Sequence, residues 1–202
     1  MCARYSLIAN EQQLKSLFDI VDAFEFEPRV NIAPKQVMPI LLANHHLVPA
    51  EWGLTAKWDP KRLLINARSE TLATTRTFAP LAKSKRCVIP ATGFFEWKTE
   101  GSQKLPRLFQ RKGAQPFAFA GVYDEDDKGQ VHFVILTTGP NQTVAEVHDR
   151  MPCMLLPGEV DHWLKDAEVP GPFDEAEMVG FSVTPKVNHW SYQGEDALLQ
   201  LS

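Results

Sequence analysis

Cysteine is scarce in this 202-residue chain, which carries only Cys2, Cys87 and Cys153. An odd count at wide spacing argues against a disulfide framework and for a reducing compartment. The chain has no CxxC and no HExxH, so the common zinc patterns are missing and no metal or cofactor is expected. No apolar run is long enough to cross a bilayer as a helix, so no membrane partner is expected. The opening MCARYSLIANEQQ lacks the apolar stretch of a secretory signal, which makes a cytoplasmic location the expectation. Internal repeats and low-complexity tracts are also missing. These absences leave ordinary globular chemistry.

Hydrophobic residues make up 44% of the chain, enough for a real core, and the length fits a single domain over 1–202. Fifteen scattered prolines disfavour long helices and suit short strands. Residues 2–8 read as an opening strand. Asn10 with Gln13 forms a capping-box pattern for a short helix to about Phe18, with Leu14, Leu17 and Phe18 on its apolar side. Segments 37–43 and 46–53 read as a strand pair joined through Asn44–His45. Segments 86–91 and 94–98 read as strands around Thr92–Gly93. The β pattern continues at 105–111, 117–124 and 131–138, with a polar turn at Asp126–Gly129. Asn141 opens a short helix to about Val147; 151–157 and 178–184 read as strands, 159–166 as a short helix, and 166–177 as an acidic surface loop. The expected class is α+β: a β-rich single domain of mixed and antiparallel sheets curling toward a barrel, with a few short helices. Cys87 and Cys153 lie in apolar runs and read as core residues.

The net charge of −4 hides an asymmetry. Residues 1–115 carry 17 Lys and Arg against 10 Asp and Glu; residues 116–202 carry 4 against 15. The stretch 57–86 holds Lys57, Lys61, Arg62, Arg68, Arg76, Lys83, Lys85 and Arg86 against Asp59 and Glu70. A local basic surface binds phosphates whatever the global sign, although a solvated charged face has the same composition. Trp52, Trp58 and Phe78 nearby add aromatic surface, and cations with aromatic platforms suit single-stranded nucleic acid.

Cys2 carries distinctive chemistry. It follows Met1 directly, and methionine is removed when the next side chain is small. The mature chain would then begin with an amine and a thiol on adjacent carbons. The amine condenses with an aldehyde to an imine, and the thiol closes a thiazolidine ring. Unperturbed, the amine titrates near ~7.7–8.0 and the thiol near ~8.5, both within reach of neutral pH.

Four segments stand out: Met1-Cys2-Ala3-Arg4-Tyr5, Ile65-Asn66-Ala67-Arg68-Ser69-Glu70-Thr71, Pro90-Ala91-Thr92-Gly93-Phe94-Phe95-Glu96-Trp97 and Val147-His148-Asp149-Arg150-Met151-Pro152. Together with Asn31-Ile32-Ala33-Pro34, Trp52-Gly53-Leu54, Gly121-Val122-Tyr123, Thr137-Thr138 and Ser182-Val183, this ordered set resembles the SRAP family, the SOS-response-associated peptidase or abasic-site-processing proteins. The resemblance covers nearly the whole chain. One departure is Ala3, where the family usually has Gly.

The resemblance implies a partner, single-stranded DNA containing abasic sites, and a covalent crosslink to it through the N-terminal Cys. It also implies association with the nucleoid at damaged DNA, and a monomer is expected. An open-chain abasic sugar carries the aldehyde that a 1,2-aminothiol traps. On this reading Cys2 is the nucleophile, Glu96 and His148 move protons, and Asn66 holds the amine or the sugar hydroxyl. Glu96 lies between aromatic residues, where lost solvation raises a carboxyl pKa. Arg4, Arg68 and Arg150 are candidate phosphate forks, with salt bridges to Glu70 or Asp149 as the alternative. Trp58 and Trp97 are candidate stacking surfaces, and Pro34 and Trp52 candidates for shaping the DNA path. Removal of Met1 by autoproteolysis and strand-cleaving lyase activity also belong to this reading. Two other classes compete: an N-terminal-nucleophile cysteine amidohydrolase and a noncatalytic single-strand binder.

Overall fold

Fifteen short strands and three α-helices form among residues 2–201, the part of the chain that the computed structural model describes. The first strands are β1 (Tyr5–Leu7), β2 (Arg29–Ile32), β3 (Val37–Leu42), β4 (Leu47–Trp52), β5 (Leu54–Ala56), β6 (Asp59–Leu64) and β7 (Asn66–Arg68). They are followed by β8 (Arg86–Ala91), β9 (Gly93–Glu100), β10 (Gln103–Arg111), β11 (Phe117–Glu125) and β12 (Val131–Thr138). Two-residue strands β13 (Met151–Pro152) and β14 (Met154–Leu155) precede β15 (Met178–Ser182). The helices are α1 (Glu11–Phe18), α2 (Ala79–Ser84) and α3 (Gln142–Ala145).

The strands form two layers and a separate hairpin. In the larger sheet β12, β4, β3, β8 and β11 pair in that order, and β11 pairs again with β12, which closes a five-stranded barrel. The pairs β12–β4 and β12–β7 are parallel, so the sheet is mixed as expected. The barrel packs tightly at Gly121: a β-carbon there would come within 2.7 Å of the Val134 carbonyl oxygen and against the Ile89 side chain. The second sheet runs β15-β10-β9-β1-β2, and β5 and β6 pair alone.

Period-two alternation along β9 explains how the layers meet. Phe94 faces the barrel, stacking on Phe109 at 5.1 Å and meeting Phe119 edge-on at 6.3 Å. Phe95 faces away, into a smaller core with Val30, Leu108, Val183 and Val187. The first half of β9, residues 93–96, is thus buried on both faces, and Glu96 shares the barrel-facing side with Phe94.

Many expected elements stand where the sequence placed them. Asn10 and Gln13 make both capping-box hydrogen bonds at the start of α1. Strands β3 and β4 pair through a turn in which His45 has φ of 61°. The strands read on either side of Thr92–Gly93 form as β8 and β9, and the chain there leaves the barrel for the other sheet, anchored by Thr92 N–H to the Ser6 carbonyl at 2.7 Å. Two readings need correction. Segment 151–157 is split at Cys153, with β13 pairing β12 and β14 pairing β11. The acidic segment 166–177 also contributes a buried anchor, Phe173.

Candidate active site

Strand register brings the chain start to Glu96. Tyr5 pairs with Phe94 and Ser6 with Gly93, antiparallel, and Phe95 N–H donates to the Arg4 carbonyl at 3.0 Å. Counting back, Ala3 falls opposite Glu96. Both line a cleft of about 570 Å³ with Arg4, Trp97, Thr99, Lys104, His148 and Asn188. Ala3 is not among the described residues with positive φ, so its backbone carries no left-handed strain. The family's usual glycine is not required by the backbone at this position.

Cys2 is fully buried, and its Sγ lies 3.7 Å from the Arg4 carbonyl oxygen. Burial pushes its thiol well above the ordinary range, and the Glu96 carboxylate pushes it further. This corrects the expectation of a thiol near ~8.5. The thiol is held neutral rather than poised as a thiolate. Cys87 and Cys153 are buried core thiols as expected; burial raises both, Cys153 to about 12.

Glu96 is almost completely buried, at 3% exposure. Desolvation is the main cause that lifts its pKa to about 7, and Asp149 adds to it. His148 is half-buried, and burial lowers its pKa. Its Nδ1 accepts the Arg150 N–H at 3.0 Å, which leaves the neutral ring's proton on Nε2. Asp149 Oδ1 also lies 3.0 Å from Nδ1, ready to accept if that nitrogen is protonated.

A second cleft of about 720 Å³ shares His148 with the first and is lined by Arg68, Glu70, Thr71, Asp149 and Arg150. A third, of about 460 Å³, shares Arg68 and Thr71 and adds Trp58, Arg62, Asn66 and Phe78. A fourth shares Trp58 and adds Lys57 and Arg76. Arg4, Trp58, Asn66, Arg68, Glu96, Trp97, His148 and Arg150 therefore lie along one connected run of clefts, not in a single pocket.

The arginines differ. Arg150 is forked onto Glu70, Nη1 to Oε1 at 2.6 Å and Nη2 to Oε2 at 2.8 Å, and donates to the Thr137 carbonyl at 2.6 Å. The Arg150 hydrogen bonds hold the Glu70 carboxyl down at about 2. Arg4 gives Nη1 to Asn31 Oδ1 at 3.0 Å and to the Val187 carbonyl at 2.9 Å, so much of its guanidinium fastens the fold. Arg68 is exposed and makes no ion pair among the described residues. Within 57–86, Lys57 and Lys85 pair with Asp124, and Arg86 donates to the carbonyls of Ala82, Lys83, Leu164 and Lys165.

Asn66 reaches the Ile135 carbonyl with Nδ2 at 3.5 Å, while its buried Oδ1 accepts no hydrogen bond among the described residues. Such an acceptor is costly until a ligand N–H or O–H satisfies it. Trp58 is 61% exposed, with the Arg62 guanidinium 5.0 Å over its ring. Trp97 donates Nε1–H to Asn188 Oδ1 at 2.6 Å and lies under Arg4. Trp52 does not shape any strand path: it is fully buried, donates to the Ile65 carbonyl at 2.9 Å and packs on Tyr5 and Phe133. Pro34 sits half-buried in the turn between β2 and β3, outside the lining of these clefts. Sequence reasoning missed Lys104, Thr99 and Asn188. Only the β9–β10 pairing and the return of the C-terminal segment bring them to the cleft.

No group of three or more metal-ligating side chains is found among the described residues, and no described helix is long and apolar enough to cross a membrane. The family model for SOS response associated peptidase (SRAP) matches residues 1–190. The abasic site processing protein YoaM of Bacillus subtilis is 33% identical over 93% of this chain and 93% of its own. The abasic site processing protein YedK of Escherichia coli is 32% identical over 95% and 90%. A crystal structure of a Bacteroides thetaiotaomicron protein superposes with a TM-score of 0.85 at 22% identity, covering all of both chains. The fold, the ordered motifs and these matches agree: the chain belongs to the SRAP family.

Proposed function

We propose that this protein processes abasic sites in single-stranded DNA by crosslinking to them through Cys2 once Met1 is removed. The observation that carries this reading is the placement of Cys2 beside a buried carboxyl, Glu96, whose pKa of about 7 lets it both give and take a proton at neutral pH.

The Cys2 amine attacks the sugar aldehyde and the carbinolamine forms. Protonated Glu96 gives its proton to the departing hydroxyl, water leaves, and an iminium that keeps its N–H remains. The thiol then adds to the iminium carbon. Because burial keeps that thiol neutral, its proton passes to the Glu96 carboxylate as the C–S bond forms, and the ring nitrogen is left as a neutral amine. One water is released overall and Glu96 is regenerated. His148, neutral with a proton on Nε2, assists the sugar oxygen as the ring opens. Asn66 Oδ1 accepts from the amine or a sugar hydroxyl. Arg68 and Lys104 meet phosphates on either side. Removal of Met1 hydrolyses one peptide bond, by the Cys2 thiol with Glu96 and His148 or by a host aminopeptidase. The imine also gives access to β-elimination, which would cleave the strand. The relatives' names support the substrate class.

The test is intact mass after incubation with a single-stranded oligonucleotide carrying one abasic site. An adduct one water lighter than the sum of protein without Met1 and DNA is expected, and none with undamaged DNA or with Cys2→Ala. Adducts from Cys2→Ala at the wild-type yield would overturn the reading. Glu96→Gln slows adduct formation more than it weakens binding; equal losses in both would remove its proton-transfer role.

A further inference from the structure

Among the described residues, eight large apolar side chains are exposed, and two of them are aromatic: Trp58 at 61% and Trp190 at 56%. Trp58 belongs to the run of clefts. Trp190 has no role in the chemistry above. Single exposed hydrophobes are common and need no explanation, but the mounting of this one is unusual. The segment 187–193 is bolted to β2 and to Arg4, the residue before β1. Asn31 Nδ2 donates to the Val187 and His189 carbonyls at 3.2 and 3.1 Å. Arg4 donates to the same Val187 carbonyl at 2.9 Å. The Gln193 amide takes the Val30 and Asn31 N–H groups at 3.0 and 3.2 Å and donates to the Asn31 carbonyl at 2.9 Å. Inside this loop the His189 ring lies nearly parallel to Trp190, with centroids 6.5 Å apart at 16°. His189 is held in turn by Ser191 Oγ at 2.8 Å from its Nδ1.

Trp190 stands two residues from Asn188, which lines the Glu96–His148 cleft and accepts the Trp97 Nε1–H. The same cleft presents Arg4 and Lys104, so the end of the run next to the Trp190 segment is cationic as well as aromatic. Trp58 stands at the opposite end of the run, past Asn66 and Arg68. Aromatic platforms flanked by cations bind the bases of single strands with little regard to sequence. Resting on the reading of the Cys2 site as one for abasic single strands, we infer that Trp190 is a stacking platform for a base on the flank that leaves past Trp97. Trp58 takes the other flank, and the damaged nucleotide lies between them. The immobilised mount means that little ordering remains to be done on binding.

The experiment uses fluorescence anisotropy with labelled oligonucleotides containing a tetrahydrofuran abasic analogue, which has no aldehyde and gives a true equilibrium. Each flank is shortened in turn. Trp190→Ala is expected to bind the full oligonucleotide about tenfold more weakly than wild type, the scale of one lost base stack. It also becomes indifferent to shortening of one flank while staying sensitive to the other, and Trp58→Ala shows the reverse. Trp190→Phe recovers most of the affinity. Binding by Trp190→Ala within about twofold of wild type, or an equal loss toward both flanks, would overturn the inference. A parallel reaction of wild type with a true abasic site separates the two ideas. An adduct with no Trp190 effect defeats the platform alone, and a missing adduct defeats the crosslinking reading while the flank result still decides the platform.

Discussion

Glu96 illustrates how one residue ties function to stability. Its carboxyl is raised from 4.5 to about 7 by burial. Between those two values the folded protein keeps a proton on Glu96 that the unfolded chain has released. Stability from this group therefore falls as pH rises through that window, and above it a buried charge works fully against the fold. Glu96→Gln keeps the shape and removes the charge. It is expected to raise stability at pH 8 by about 3 kcal/mol and to change it little at pH 4. Thermal melts of both proteins across pH check this; a constant difference at all pH values would show that Glu96 does not titrate in that window. A buried carboxyl maintained at a cost to stability is the pattern expected of an active site. Cys2 shows the limit of reading at this scale. Its place beside Met1 suggests aminothiol chemistry, yet the sequence gives no hint that β9 and the barrel bury its thiol, because burial is a property of the pairing.

Elements were legible where a local signal marked them. The capping box of α1, the turn at Asn44–His45 and the strands β10 to β12 follow from capping and turn residues and from apolar, β-prone runs alone. Those that were missed lack such signals. Strand β7 has three residues and exists because β12 offers it a parallel partner, with Ile135 opposite Asn66. The β5–β6 hairpin bulges between Thr55 and Ala56 and is mostly exposed along β6, so its pattern reads as a charged loop. Helix α2 starts at Ala79–Pro80 without a side-chain cap. Candidate site residues were legible as types, but the run of clefts was not, since it links elements scattered from β5 to β11 with the chain start and the C-terminal segment. Trp52 was misassigned for the same reason: an indole beside a basic stretch serves the core as readily as a base stack, and only tertiary packing decides. Gly121 tests the element scale. No space exists for a methyl group between β8, β11 and β12. Gly121→Ala is expected to cost about 1–3 kcal/mol through overpacking, a drop of about 5 °C in melting temperature. An unchanged melt would mean that the barrel yields there.

At the scale of the whole molecule, a protein of net charge −4 is asked to hold a polyanion. The asymmetry of the chain resolves this only in part, because several cations near the clefts are already engaged. Arg150 is forked onto Glu70, Lys57 pairs with Asp124, and Arg4 fastens the C-terminal segment. Lys104, Arg62, Arg68 and Arg76 line the clefts without an ion pair among the described residues. Each phosphate neutralised on a single strand contributes about −0.7 to the slope of log affinity against log salt, so these four cations give a slope of about −3. Arg68→Ala brings it to about −2. Glu70→Gln acts in the opposite direction. It leaves Arg150 anchored on the Thr137 carbonyl but removes the competing carboxylate, so binding tightens and the slope steepens toward about −3.5. Titrations of an undamaged single strand across a series of salt concentrations measure all three. If Glu70→Gln instead weakens binding, Glu70 serves to aim the Arg150 fork rather than to occupy it, and the pair would act on the phosphate as one preformed unit.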